Sequence, residues 1–465
     1  MRHRANPALL CVLAMLAVAI SALTHAQDKS KPASGPFGYT LIGTPDGRPT
    51  ALDFFFRSED CAVCHERQLR ELQGSMHSAS HEEPLYRRFA ELARKEAGEK
   101  IYTFCSGCHA PAGVASGLIP KKSDHELPAE VRAGVTCDVC HQISSLTGTK
   151  GPWREEGNAS FMLQPGRTRF GSTGQALDNR SHGGEKKAFY AKSEFCASCH
   201  TVIHPLSGIR IEHTYGEWKS SIYAEKGVQC QDCHMRRVED AVKVAETLKP
   251  IVITGQSATE SPPRQIHPHF FAGANANADR LANGKLHAEM AEARLKSAAR
   301  IELKLPDQAV AGEEVSFDVV VHNVAAGHNI PTGITELREM WVELRALDSQ
   351  GRTLYRSGDL DEKGEIRPGA IRFGAVAGNR SGKPTYKPWE MTQFLWKRTI
   401  PPKSSLRDRV TVRLPENVSG PVTIEARLHY RSAPPQLLAE VMQNEAFAAK
   451  VVEMCKTSAM VRVGP

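Results

Sequence analysis

The sequence lacks a strong charge of either sign and, beyond its first 26 residues, any apolar run long enough to cross a bilayer. The net charge is +7 and falls to +5 if Arg2 and Arg4 are removed with the N-terminus. Because the basic residues are also dispersed, a nucleic-acid-binding surface is not expected. Nor is an integral membrane segment expected in the mature chain.

The first 26 residues have the pattern of a secretory signal peptide. Arg2 and Arg4 precede the apolar run ALLCVLAMLAVAISAL, and small residues surround Ala26, which predicts cleavage after that residue. The alternative, an uncleaved membrane anchor, is less favoured because the run is short for a membrane span. We therefore expect an exported protein that is periplasmic, secreted or held at the cell surface.

Isolated cysteines are nearly absent past this segment, where only Cys455 stands alone. The other ten form five C-x-x-C pairs, and a histidine follows each pair. This pattern is the signature of covalent c-type haem attachment, in which two thiols add to the haem vinyl groups and the histidine binds the iron. The sequence predicts five c-type haems, with attachment cysteines and proximal histidines at Cys61, Cys64 and His65; Cys105, Cys108 and His109; Cys137, Cys140 and His141; Cys196, Cys199 and His200; and Cys230, Cys233 and His234.

Zinc binding and disulfide formation account for the cysteine pairs less well. Zinc sites use four thiolates for each ion, so five pairs would leave one unmatched, and zinc would not require a histidine after every pair. A disulfide across two residues is a poor structural bridge and is more often a redox centre. Haem attachment accounts for all five motifs together.

The spacing of the motifs predicts the organisation of the chain. Five haems between Cys61 and His234 leave little room for an apolar core, so we expect the haems themselves to form the core, wrapped by short helices and irregular loops. This predicts an α and irregular haem domain at residues 27–275, followed by a connecting helix within 276–300. Alternating apolar residues then predict an antiparallel, immunoglobulin-like β-sandwich at 301–465.

Two pairs of motifs resemble each other. FCSGCH at residues 104–109 recurs as FCASCH at 195–200, and GVTCDVCH at 134–141 recurs as GVQCQDCH at 227–234. The second and third haems, and the fourth and fifth, are therefore predicted to be two copies of one dihaem unit.

Each iron has a sixth position, which a second histidine can fill for electron transfer or which can stay open to a substrate. Of the 19 histidines, 12 are neither proximal nor in the signal segment, so full bis-histidine ligation is allowed but not required. His77, in a predicted helix after the first motif, and His182, in a loop, are candidate distal ligands. His267 and His269 in HPHFFAG and His328 in the restricted loop AGHNIPTG are further candidates.

Four strings carry a family resemblance: ELQGSMHSA, TYGEWKSSIYAEKGVQCQDCHM, HPHFFAGAN and AGHNIPTG. Together they resemble multihaem c-type cytochromes related to hydroxylamine oxidoreductase and to the tetrahaem cytochrome that accepts its electrons. The resemblance implies stacked haems and mostly bis-histidine irons, and by position it implies distal roles for His77, His269 and, more weakly, His328. All five motifs end in histidine, unlike those of the pentahaem nitrite reductases, and they are too few for hydroxylamine oxidoreductase.

Three functions follow as hypotheses. The first is an electron carrier that passes electrons through five haems between redox protein partners or to an extracellular acceptor. The second is an oxidoreductase of a small nitrogen or sulfur compound, acting at one five-coordinate haem. The third is a subunit of a cell-surface cytochrome assembly that forms through the β-sandwich.

Overall fold

A computed structural model describes residues 35–174, 181–442 and 447–464. The predicted signal peptide lies outside these ranges. No helix within them is long and apolar enough to cross a membrane. The α-helices of these ranges, in chain order, are α1 Ser58–Leu72, α2 Pro84–Ala97, α3 Glu99–His109, α4 Pro111–Ala115, α5 Ala129–Arg132, α6 Cys137–His141, α7 Ser193–Ala197, α8 Thr214–Lys219, α9 Ile222–Glu225, α10 Gln231–His234, α11 Val238–Thr247, α12 Lys285–Ala298 and α13 Pro435–Met442.

The strands fall into small ladders before residue 270 and two larger sheets after residue 298. In chain order they are β1 Ile143–Leu146, β2 Phe161–Leu163, β3 Thr168–Gly171, β4 Gly183–Lys186, β5 Val202–Ile203, β6 Arg210–Glu212, β7 Ile253–Gly255, β8 Arg264–Ile266, β9 Ala299–Lys304, β10 Gln308–Val310, β11 Glu314–Asn323, β12 Glu339–Leu347, β13 Thr353–Ser357, β14 Ile371–Gly378, β15 Gln393–Arg398, β16 Ser405–Arg413, β17 Val422–Arg431 and β18 Val452–Gly464.

The first region consists of short helices, and the C-x-x-C-H motifs lie on or beside them. The backbone of α1 is interrupted at His65, where φ is −116° and ψ is 38°. Helices α3, α6 and α10 end at the motif histidines His109, His141 and His234. A single helical turn suits the motif because it brings both thiols and the imidazole to one side of the chain.

Helix α2 shows how local sequence sets an element of this region. Glu83 caps its N-terminus by accepting a hydrogen bond from the backbone N–H of Tyr86, and Pro84 occupies the first turn, where its missing N–H costs nothing. Gly98 ends the helix with φ at 86°, a left-handed value that glycine adopts without strain. The capped first turn fixes the position of Tyr86, which lines the central cavity.

The second region contains two sheets that share one core. The larger sheet has the order β10–β18–β17–β12–β14–β15, with β13 also paired to β12, and the smaller has the order β16–β11–β9. Alternate residues of β11, among them Phe317 and Val319, pack with Val342 of β12 and Leu428 of β17. Burial of these side chains is the main stabilising term for the region.

The prediction of a helical region followed by a β-rich region is confirmed, but the prediction of a purely antiparallel sheet is wrong. Edge strand β10 pairs with β18 in parallel, so the larger sheet is mixed. Pro306 follows β9, and the chain crosses from the smaller sheet to the larger before Gln308. The immunoglobulin-like arrangement remains a prediction.

Candidate haem-binding site

A cavity of 1360 Å³ runs through the first region and reaches the β-rich region. The cysteines and the histidine of all five C-x-x-C-H motifs line it. Ten thiols and five imidazoles around one apolar-walled space are the donor set that covalent haem attachment requires, so these residues fit the group. Beside the cavity, the apolar side chains of this segment form separate clusters.

Each motif imidazole is held through its Nδ1 atom. In four of the five, Nδ1 donates to a backbone carbonyl: His65 to Ser257 at 2.7 Å, His109 to Ser80 at 2.8 Å, His141 to Phe170 at 2.7 Å and His234 to Ala272 at 2.8 Å. A carbonyl can only accept, so the proton lies on Nδ1 and the lone pair of Nε2 is left for a metal.

His200 is held differently. Its Nδ1 lies 3.2 Å from the Oε1 atom of Glu212, whose side chain is only 15% exposed. Burial acts to lower the pKa of His200, but the carboxylate of Glu212 outweighs it and raises the pKa to about 9. The hairpin of β5 and β6 explains the contact. It pairs Val202 with Glu212 and so brings the chain back to the fourth motif, which contains His200.

Four of the predicted distal histidines each lie opposite a motif histidine. The ring centres are 6.2 Å apart for His65 and His182, 6.0 Å for His200 and His77, 6.3 Å for His141 and His269, and 6.0 Å for His234 and His328. An iron bound to two imidazoles at about 2 Å from each nitrogen separates the ring centres by roughly 6 Å. The spacing of each pair therefore fits one iron between the rings.

Burial keeps two of the distal imidazoles, those of His77 and His269, in the form that binds metal. Burial, with the neighbouring His200 ring, lowers the pKa of His77 to about 3. Burial, with the neighbouring His141 ring, likewise lowers the pKa of His269 to about 3. A neutral ring is the form in which a histidine nitrogen coordinates.

The loop that carries His328 is restrained, as its proline and glycine content predicted. The side-chain amide of Asn323 donates to the His328 carbonyl at 2.8 Å, and the His328 Nδ1 atom lies 2.9 Å from the Asn329 carbonyl. Gly327 lies directly against the buried ring of Tyr223, where a side chain would crowd that ring. Tyr223 is therefore a packing residue beside the fifth motif.

His109 is the exception. No second imidazole is paired with it in the described part of the chain. The ring of Tyr86 instead stacks on it, with centres 3.7 Å apart and planes 6° from parallel. Nearby His81 is buried, with its Nε2 atom 2.8 Å from Asp124 and its Nδ1 atom without a hydrogen-bond partner among the described residues. The Tyr86 hydroxyl is buried without a hydrogen-bond partner among the described residues.

Several other histidines are held by protein groups away from the motif rings. His267, a predicted candidate, is partly buried beside Arg236 and Asp232, and it is its neighbour His269 that meets His141. The remaining contacts are His204 with the Trp389 carbonyl, His287 with the Glu71 carbonyl and His322 with the Glu302 carboxylate.

Contacts between thiols show which motifs are neighbours. The thiols of Cys61 and Cys137, of Cys108 and Cys199, and of Cys196 and Cys230 are neighbours, and the described cysteines form no disulfide. The first motif therefore adjoins the third, and the fourth adjoins both the second and the fifth. Cys140 also interacts electrostatically with Cys199, which places the third motif beside the fourth.

The predicted pair of dihaem units stays a prediction. The fourth and fifth motifs adjoin, the second touches the fourth, and the carbonyl of His109 in the second motif also lies against Gly134, just before the third motif. The motifs form a row of first, third, fourth and fifth, and the second branches from the fourth. The branch carries His109, the motif histidine without a second imidazole among the described residues.

Sequence reasoning missed Glu212 and Tyr86. The alternation in VIHPLSGIRIE predicts a short hairpin after the fourth motif. A hairpin there would have predicted that Glu212 lies close to His200. Tyr86 is one aromatic residue in an amphipathic helix, and no local signal separates it from an ordinary core residue.

Comparisons with known proteins concern the family and the fold of the chain. The sequence model of the family described as cytochrome c554 and c-prime matches residues 60–142. Among solved structures, a penta-heme cytochrome c552 from Thermochromatium tepidum is similar over 88% of this chain and 99% of that one, with a TM-score of 0.63 and 20% identity. At that identity the similarity shows the fold alone.

Two further comparisons add little. The CARDB domain of the PF1109 protein from Pyrococcus furiosus covers 36% of this chain and 87% of its own length, with 13% identity and a TM-score of 0.17, which carries no argument. No curated protein matches the chain. The family match and the motif-lined cavity together support one conclusion: the chain is a multihaem c-type cytochrome, and its residues 60–142 are similar to cytochrome c554 and c-prime.

Proposed function

We propose that the chain is an extracytoplasmic pentahaem electron-transfer protein in which four irons have two histidine ligands and one has a single histidine. The observation that carries the proposal is the set of four imidazole pairs, with ring centres 6.0–6.3 Å apart, around one cavity. When bound, each haem iron takes up or releases one electron. The polypeptide sets the order, spacing and surroundings of the irons.

The proposed residues follow from the geometry of the site. The ten motif cysteines would form the thioethers, and the five motif histidines would be proximal ligands. The distal ligands would be His182 for the first motif, His269 for the third, His77 for the fourth and His328 for the fifth. The row of these four motifs forms the proposed electron path, and redox proteins are its expected partners, docking weakly and transiently.

Exposure of the first motif favours that end of the path for partner contact. Val63, between the two cysteines, is 86% exposed, and Phe56 beside the motif is 52% exposed. Apolar residues exposed at a cofactor are typical of contact surfaces. The β-rich region would hold the other end of the path through His328, and its mixed sheet would serve docking or assembly.

Haem content and spin state test the proposal. We expect mass spectrometry of the exported protein to show five covalently bound haems on a chain that begins after Ala26. Low-temperature electron paramagnetic resonance of the oxidised protein should show four low-spin haems and one high-spin haem. Fewer than five haems, or fewer than four low-spin signals, would contradict the ligand assignment.

A second candidate function is binding or conversion of a small nitrogen or sulfur compound at the haem of the second motif. It is favoured by His109, which faces no second imidazole in the described ranges, and by the buried hydroxyl of Tyr86 beside it. We expect nitrite or cyanide to alter the high-spin signal and to leave the four low-spin signals unchanged. A high-spin signal that neither ligand alters would restrict the protein to electron transfer.

A further inference from the structure

Among the five motif imidazoles, one has a charged hydrogen-bond acceptor. Four donate to backbone carbonyls at 2.7–2.8 Å, whereas His200 faces the carboxylate of Glu212 at 3.2 Å. The four carbonyl-bonded histidines are an internal reference, because they share the residue type, the attachment motif and the cavity. The carboxylate of Glu212 therefore contacts one motif imidazole directly, and its charge also reaches Cys108 and His109 of the neighbouring second motif.

The charge of Glu212 is only partly balanced by its surroundings. The carboxylate also accepts a weak hydrogen bond from the Thr214 hydroxyl at 3.4 Å. Arg338 is the nearby cation, but it donates to the Ser432 carbonyl, and no ion pair joins Glu212 to a lysine or arginine within the described ranges. The side chain is largely buried, so salt screens its charge weakly.

A carboxylate on the far nitrogen of an imidazole ligand changes the bound metal. It withdraws the Nδ1 proton towards itself and makes Nε2 a stronger donor. A stronger donor and a nearby negative charge both stabilise the ferric iron, which carries one more positive charge than the ferrous iron. Hydrogen bonding and net charge of this kind are the means by which proteins adjust haem potentials.

The position of His200 gives this effect a consequence for the whole array. The cysteines of its motif neighbour those of the second, third and fifth motifs, so the site it holds has more neighbouring motifs in these contacts than any other. A lower reduction potential at the iron of His200 would act as a barrier between electrons at the second motif, which contains His109, and electrons at either end of the row.

We propose that Glu212 is a positioning residue that lowers the reduction potential of the iron bound by His200, the junction of the haem array. This rests on the proposed function, since it requires an iron between His200 and His77. It goes beyond that function by assigning different potentials to sites with the same two ligands. The change at this iron is gain or loss of one electron, without transfer of atoms.

The test is a spectroelectrochemical titration of the full haem-loaded protein. In Glu212→Gln, which keeps a hydrogen-bond acceptor but removes the charge, we expect one low-spin reduction step to move furthest to higher potential. The high-spin step of the second motif, whose His109 also interacts with this carboxylate, should move less, and the other three should stay. Glu212→Asp keeps the charge on a shorter side chain and should move the same low-spin step by less. Glu225→Gln removes an exposed carboxylate near the fifth motif and should move none.

The ring geometry identifies the step. The planes of His77 and His200 differ by 55°, whereas those of the other three pairs differ by 21–32°. A larger angle between the planes of the two axial imidazoles makes the electron paramagnetic resonance signal of a ferric low-spin haem more anisotropic. We therefore expect the shifted step to follow the most anisotropic low-spin signal in a titration monitored by paramagnetic resonance.

Two results would overturn the proposal: five unchanged steps in Glu212→Gln, or a shifted step that follows one of the less anisotropic signals. Failure of the proposed function is distinct, because the unsubstituted protein would then already lack five haems or four low-spin signals. Loss of haem in Glu212→Gln would leave Glu212→Asp as the deciding variant, with a smaller upward shift expected and no shift contradicting the proposal.

Discussion

The two regions of the chain fill their interiors by different means. The β-rich region has a continuous core made of its own side chains, among them Phe317, Val342 and Leu428. The first region instead surrounds a cavity of 1360 Å³ with thiols and imidazoles. The difference between them teaches that one polypeptide can contain a region that specifies its own core and a region whose core is supplied by its cofactors.

The regions nevertheless meet through specific side chains. Helix α12 contributes Leu295 to the β-rich core, while its Arg294 donates to the carbonyl of Cys233 in the fifth motif at 2.6 Å. Helix α13 packs Leu437 and Leu438 near Phe89 of the first region. His328 extends from the β-rich region into the cavity.

The largest effect should come from preventing haem attachment. In the full chain produced without haem, we expect the first region to lose its fold, because a large, mainly apolar cavity would be left unfilled in its interior. The β-rich region should persist. Limited proteolysis with mass spectrometry should yield a resistant fragment that begins near Ala299, and protection of α1–α11 would contradict the contrast between the two regions.

His328→Met should produce the next largest effect, since His328 is the candidate ligand that the β-rich region contributes. We expect one bis-histidine low-spin signal to disappear and one reduction step to move upward, as methionine ligation raises haem potential. His322→Met is the matched control, because His322 lies on β11 and pairs with Glu302. An identical spectrum in both variants would remove His328 from the ligand set.

A core substitution should affect the β-rich region alone. Leu428 is fully buried, and Leu428→Ala should lower the free energy of unfolding of this region by about 2–5 kcal/mol through lost burial and the cavity left behind. Leu395→Ala, at a side chain that is 43% exposed, should change it by less than about 0.5 kcal/mol. Denaturant unfolding followed by circular dichroism measures both, and haem absorption should stay unchanged.

The smallest effect concerns pH and Glu336, which is 2% exposed with both carboxylate oxygens lacking a partner among the described residues. Burial raises the pKa of Glu336 from 4.5 to about 7. The folded state therefore binds this proton more tightly than the unfolded state, so the stability contribution is fully present below pH 4.5 and is lost as the pH rises through 7. The loss should not exceed about 3 kcal/mol.

Glu336→Gln is the control for this prediction, because it keeps the shape of the side chain without a titrating proton. The free energy of unfolding of the β-rich region, measured from pH 5 to pH 8, should fall with rising pH in the unsubstituted protein. It should fall less in the variant. Equal slopes in the two proteins would show that Glu336 does not titrate in this range.

Much of the candidate site was accessible from sequence because its signals are local. The spacing of Cys230, Cys233 and His234 identifies an attachment motif without knowledge of the fold. The restricted loop around His328 and the string that contains His269 also selected residues that the structure places opposite motif histidines. The parallel pairing of β10 was not accessible, since three edge residues carry no signal for strand direction.

The sequence by itself determined the candidate sites of haem attachment and which histidines were available as second ligands, because both depend on residue type and short-range spacing. Only the tertiary structure decided that His77 meets His200, that His109 meets Tyr86 and that Glu212 meets His200. His77 and His200 are far apart in the chain and belong to different motifs, so the surrounding helices must pack before they can face each other. Local chemistry thus specified the attachment sites, and packing specified the partner of each imidazole.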